Sequence, residues 1–108
     1  AYRPQLFDII DGYTKNYRVV KKAFPALEKE AQCLWIWSRF IVLDKMLMED
    51  DFRTLEGYKE LKRFIRRHLF VILRNPYFQK KRKISAFVLF LNVRLYRRLV
   101  FISEEKKR

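Results

Sequence analysis

The residues of this chain with the most evident chemical capacity are cations. Arg63, Arg66 and Arg67 stand close together in LKRFIRRH, Lys80, Lys81, Arg82 and Lys83 form an unbroken run, and Arg94, Arg97 and Arg98 follow at helical spacing. A guanidinium presents a planar fork of donors that matches phosphate or carboxylate, and an ammonium acts as a compact point charge, so clusters of this kind hold anions. Residues 1 to 58 carry nine basic and nine acidic side chains, whereas residues 59 to 108 carry sixteen against three, so the whole formal charge of +13 resides in the second half. Charge segregated in this way raises the local potential and predicts an anionic partner: phospholipid, nucleic acid or an acidic protein surface.

Other chemistries find little material. His68 is the single histidine and falls near the inward side of a predicted helix, where such a residue is expected to be packed or hydrogen-bonded rather than a general base. Cys33 has no second cysteine for a disulfide or a zinc site, which fits a reduced, cytoplasmic compartment. Glu49, Asp50 and Asp51 read as a solvated turn, because carboxylates oppose the dipole at a helix C-terminus and nothing nearby completes a metal site. With no Gly-rich phosphate loop either, no catalytic, cofactor-binding or metal-ligating residue is expected. Tyr77 and Phe78 beside the lysine run could stack nucleobases. No helix-turn-helix, zinc-finger or RNP pattern accompanies them, so a small basic nucleic-acid-binding module is the alternative reading rather than the leading one.

The elements that must position these side chains are helices. The chain is 108 residues long, enough for one domain, and its 50% apolar content with only two glycines and three prolines favours a folded helical chain with few loops. Leu6, Ile9, Ile10, Tyr13, Tyr17, Val20 and Phe24 predict helix one over 5–23, which Pro25 ends. Helix two is expected over 26–48, with Leu27, Ala31, Leu34, Ser38 and Ile41 on one stripe and Cys33, Ile36, Phe40, Leu43 and Leu47 on another, and hence burial on two sides. Trp35 and Trp37, two residues apart, should face different neighbours. Helix three, over 55–74 with Thr54 as a candidate cap, turns Tyr58, Leu61, Ile65, Leu69 and Ile72 inward and ends at Asn75 and Pro76.

Helix four is expected over 80–103, with the core stripe Ile84, Phe87, Val88, Leu91, Leu95, Leu99 and Ile102, and a frayed tail from Glu104 to Arg108. Its uninterrupted apolar block, Ile84 to Val93, is half the roughly 20 residues a bilayer crossing requires, and arginines follow it. The fold expectation is therefore all-α, about four helices in an antiparallel bundle or two packed helical hairpins. Phe87, Phe90 and Leu91 carry a discriminating question: a helix lying on a membrane surface leaves them uncovered, whereas a core helix does not.

The run QLFDIIDGYTKNYRVVKKAFPALEKEAQC, followed by the basic LKRFIRRHLFVILRNPYFQKKRKISAFVLFLNVRLYRRLV, resembles the C-terminal helical region that follows the catalytic domain in bacterial family 2 glycosyltransferases. The resemblance implies a parent enzyme that passes sugar from a nucleotide-sugar, with a divalent metal held by a DxD motif, to a cell-surface glycan. This chain has no D-x-D, so the resemblance implies a non-catalytic accessory domain spanning 1–108, cut from a longer protein, as the opening on Ala1 in place of Met also suggests. Its implied partners are the upstream catalytic domain, a second copy in a homodimer, or the anionic inner face of the membrane, with Arg63, Arg66, Arg67, Lys80 to Lys83, Arg94, Arg97 and Arg98 facing the anion.

Overall fold

A computed structural model describes residues 2–106. Among them there are six α-helices and no strand: α1 (Phe7–Ala23), α2 (Glu28–Leu47), α3 (Tyr58–Arg67), α4 (Leu69–Arg74), α5 (Lys80–Leu91) and α6 (Val93–Lys106). Short 3₁₀ turns lead into α1 and α2 at Pro4–Leu6 and Pro25–Leu27, each with proline in its first turn, where the missing N–H would have had no partner. The all-α expectation holds, but the two long C-terminal helices of the sequence reading are each divided. The expected fraying tail is helical as far as Lys106, and Lys107 and Arg108 lie outside the described residues.

α2 is the axis of the molecule and packs on α1, α3 and α6. Ile36, Phe40, Val42, Leu43, Met46 and Leu47 are buried around its circumference, so it is apolar on all sides in its second half, as expected of a helix with neighbours on several sides. α1 lays its stripe along α2, with Tyr13 edge-on to Trp37 and Tyr17 stacked on Trp35 at 4.6 Å between ring centroids. The two tryptophans do face different neighbours: Trp35 turns its other edge toward Phe64 and His68 of the α3–α4 segment. The inward stripe of the third predicted helix is reproduced in full, with Tyr58, Leu61, Ile65, Leu69 and Ile72 all buried.

The break at His68 is slight. His68 N–H donates to the Phe64 carbonyl and Ile72 N–H to that of His68, so the i to i−4 ladder runs through the irregularity. His68 Nδ1 lies 2.7 Å from the Phe64 carbonyl oxygen and its ring stacks on Phe64, a packed histidine as expected. α3 is not capped by Thr54, whose hydroxyl donates back to Asp51; Gly57, at φ 87°, makes the turn instead. Only glycine adopts that conformation without strain, and a Cβ there would also meet the Phe7 ring at 2.6 Å. Asn75 ends α4 and ties it to the start of α2: its Nδ2 donates to the Lys29 carbonyl, and its Oδ1 accepts from Tyr77 N–H.

The break at Asn92 reshapes the molecule. Asn92 is extended, and its Oδ1 accepts from Arg94 N–H at 2.9 Å, which caps α6 and stops α5. In an unbroken helix residues 82 and 96 would be separated by about 21 Å of axial rise. Here the Arg82 guanidinium reaches the Tyr96 hydroxyl at 3.4 Å, so α5 and α6 form a corner rather than a rod. Most of the expected core stripe is turned to solvent as a result: Ile84 is 63% exposed, Leu91 64%, Leu95 51% and Ile102 50%, while Val88 of the stripe still packs on the core and Ala86, Leu89, Tyr96 and Val100 take the interior.

Candidate functional site

The predicted anion-facing cations divide into three groups with different roles. Arg82 and Arg97 are half-buried and bonded to α2 and the turn after it. Arg82 lies over the Phe40 ring and pairs with Asp44 at 3.3 Å, and the Tyr96 hydroxyl donates a short hydrogen bond to the same carboxylate. Burial is the main reason the Tyr96 hydroxyl is held well above its ordinary pKa; the Asp44 charge adds to the effect and Arg82 opposes it. Arg97 donates from Nε to the Leu47 carbonyl at 2.6 Å and from Nη2 to that of Glu49, satisfying carbonyls at the C-terminus of α2 that have no helical partner. These two arginines are structural ties, a role that charge clustering in the sequence does not distinguish from anion contact.

The second group lies on α3. Lys59, Lys62, Arg63, Arg66 and Arg67, together with Phe90 of α5, line one open basin of about 560 Å³. The spacing explains the convergence, since residues three and four apart share a helix face. Like charges in that arrangement each cost a helix about 0.2–0.5 kcal/mol. Neither of the side-chain ion pairs among the described residues, Arg82 with Asp44 and Arg97 with Asp50, draws on these five. Burial, then the nearby Arg66, Lys59, Arg53 and Arg63 charges, push the Lys62 ammonium below its ordinary pKa. Of the five, Arg66 is anchored by hydrogen bonds, with Nε and Nη2 both donating to the Leu89 carbonyl at 3.2 Å, and the Lys62 ammonium lies 5.3 Å from the centroid of the Tyr58 ring. Lys59 and Lys62 were not among the expected anion-facing residues, and Phe90 reaches the basin only through the packing of α5 on α3.

The third group flanks the α5–α6 corner. Lys80 and Lys81 are exposed at the start of α5 and Lys83 is half-buried; Arg94 and Arg98 are exposed on α6. None of the five lines the α3 basin, and Lys80 is about 15 Å of helix rise from Phe90, so the two basic clusters joined by the sequence reading are separate. Phe78 cannot serve as a stacking platform beside them, because it is buried edge-on against Phe40. A smaller hollow of about 330 Å³ opens between α5 and α6, with Ile84, Leu99 and Ile102 on its lining and Asp44, Arg82 and Tyr96 reaching it from the interior. The exposed apolar residues of both arms therefore share a surface at that hollow, and Phe87, Phe90 and Leu91 are uncovered.

An internal cluster holds a further cation that sequence reasoning passed over. Arg39 lies 3.9 Å from the centroid of the Phe64 ring, covers Trp35 as well, and donates to the Trp35 carbonyl. Burial pulls its guanidinium down to about 10, against the raising effect of Asp11, so it remains charged at neutral pH. Among the described residues there is no group of three histidine, cysteine or carboxylate side chains able to hold a metal ion, and no helix is long and apolar enough to cross a membrane. Comparison with protein-family models, with characterised proteins and with solved structures returned no match.

Proposed function

We propose that this chain is a non-catalytic docking domain whose α5–α6 corner seats on an anionic membrane surface. The observation that carries the reading is that Ile84, Phe87 and Leu91 of α5 and Leu95 and Ile102 of α6 are exposed, Ile84 and Ile102 lining one hollow, on the two helices that also carry Lys80, Lys81, Lys83, Arg94 and Arg98. Isolated exposed hydrophobics are ordinary, but a group of them on two adjoining helices marks an interaction surface. Cations beside large apolar side chains match the chemistry of an interfacial helix, whose apolar face enters the headgroup boundary while lysine and arginine remain with lipid phosphate. By the resemblance of QLFDIIDGYTKNYRVVKKAFPALEKEAQC and the basic segment after it, the parent is a bacterial family 2 glycosyltransferase, and docking would hold its catalytic domain beside a membrane-borne acceptor.

Co-sedimentation with anionic and with neutral vesicles tests the docking. Binding is expected to the anionic vesicles, to weaken as salt is raised, and to fall at least tenfold in Phe87→Gln/Leu91→Gln. Equal and negligible binding to both kinds of vesicle at low salt sinks the membrane reading. A concentration-dependent dimer by light scattering, without vesicle binding, would assign the same face to a second copy. The parentage is tested separately by the residues encoded upstream of Ala1, which should form a strand-rich nucleotide-binding domain bearing a DxD motif.

A further inference from the structure

The basin on α3 stands apart from the α5–α6 apolar face in place and in character. We infer that it is a receptor site for a ligand carrying two adjacent phosphates, held by Lys59, Lys62, Arg63, Arg66 and Arg67 with Phe90 against its organic part. Its volume of about 560 Å³ falls within the range of small-molecule sites, and among its lining residues there are five cations and no carboxylate. A solvated basic face ordinarily mixes signs along the helix, and here the acidic residue of α3, Glu60, is not part of the lining.

Three features favour a paired phosphate over a single one. The lining carries five cations and no carboxylate, a positive charge that one phosphate of charge about −2 compensates less fully than a diphosphate does. Arg66 is already oriented by its two bonds to the Leu89 carbonyl, which commit two of the five guanidinium N–H donors and hold the rest in a fixed fork. Burial first, and then the crowding of Arg66, Lys59, Arg53 and Arg63, lower the Lys62 pKa, and a multiply charged anion would offset the part that comes from crowding. Phe90 supplies the apolar wall that free inorganic phosphate would not use.

The same phosphate chemistry can come from a lipid headgroup or from a soluble diphosphate ester, and the experiment separates them. Calorimetric titration of the full chain with pyrophosphate and with sulfate at matched ionic strength should give at least tenfold tighter binding of pyrophosphate. Arg63→Gln/Arg67→Gln should lose that preference, both side chains being exposed and outside the core. Lys15→Gln/Arg18→Gln on α1, which removes the same charge at exposed positions away from the basin, should keep it. Equal affinity for pyrophosphate and sulfate, or an equal loss in both double variants, overturns the inference, because either result reduces the basin to net charge. Vesicles carrying a bisphosphorylated lipid, compared with phosphatidylserine vesicles of matched charge, then identify the source. Selection that Arg63→Gln/Arg67→Gln erases assigns the headgroup, and pyrophosphate binding without lipid selection assigns a soluble ester. The pyrophosphate arm contains no membrane, so its failure is distinct from failure of the docking reading.

Discussion

At the scale of single residues, a guanidinium that reaches a fixed carboxylate or carbonyl acts as a structural tie, and one that reaches neither is available to an anion. Arg82 and Arg97 sit in the same basic stretches as Lys80 and Arg98, yet each is committed to groups donated by α2. The partners are thirty-eight and fifty residues away in sequence, so no local pattern could reveal them. The Asp44–Tyr96–Arg82 group makes a prediction with a definite sign. The folded protein holds Tyr96 well above the ordinary tyrosine value of about 10, whereas the unfolded chain releases that proton near 10. The stability this group contributes is therefore fully present and independent of pH below about pH 10, and is lost as pH rises from there toward the folded value. Tyr96→Phe should cost about 1 kcal/mol at neutral pH and flatten the alkaline decline, read as urea midpoints from pH 7 to 11. Tyr58, raised by burial against the opposing charges of Arg53 and Arg66, keeps a residual slope in the variant.

At the scale of elements, the stripe of α3 was readable because one face of the helix meets the core, and all five residues expected inward on α3 and α4 are buried; α1 buries only Ile10 of its stripe, and Leu27 and Leu34 at the start of the α2 stripe stay exposed. Two turn devices were not readable in the same way. Gly57 lies two residues from the start of the expected helix, but its left-handed φ and its approach to Phe7 exist only once α1 has docked. Gly57→Ala should destabilise by about 1–2 kcal/mol from the backbone alone, with the Phe7 contact adding to it, measured by urea denaturation. Asn92 sits in the middle of an apolar run, where asparagine is tolerated in a helix; its side chain instead caps α6. Asn92→Ala should cost about 1 kcal/mol through loss of that cap, seen as a lower thermal midpoint by circular dichroism.

At the scale of the whole molecule, the decisive difference is which side of the C-terminal helices meets the core. A stripe drawn along one continuous helix selects Ile84, Leu91, Leu95 and Ile102, but the corner at Asn92 and the small Ala86 present a different set to α2, α3 and α4. Paired substitutions make the difference measurable. Ile84→Gln/Leu91→Gln should leave stability within about 0.5 kcal/mol of the parent chain, as expected of surface positions. Leu89→Ala, which empties a fully buried site, should cost about 2–5 kcal/mol. If the glutamine pair unfolds the protein, these apolar residues are core and the docking surface does not exist.

Read without neighbours, the residues give the all-α class, the stripe that α3 and α4 bury in full, and the excess positive charge of the second half. These are local or additive properties: propensity, 3.6-residue periodicity and a sum of charges need no knowledge of neighbours. Tertiary structure alone decided that α5 and α6 turn a corner, that the apolar stretch near Lys80 to Lys83 faces outward, and that the basic residues form a basin on α3 and a separate border on α5–α6. Those outcomes depend on a single asparagine choosing a cap over helix continuation and on cations finding partners far along the chain. The energies involved are about 1 kcal/mol each and are set by what packs nearby rather than by the residue itself.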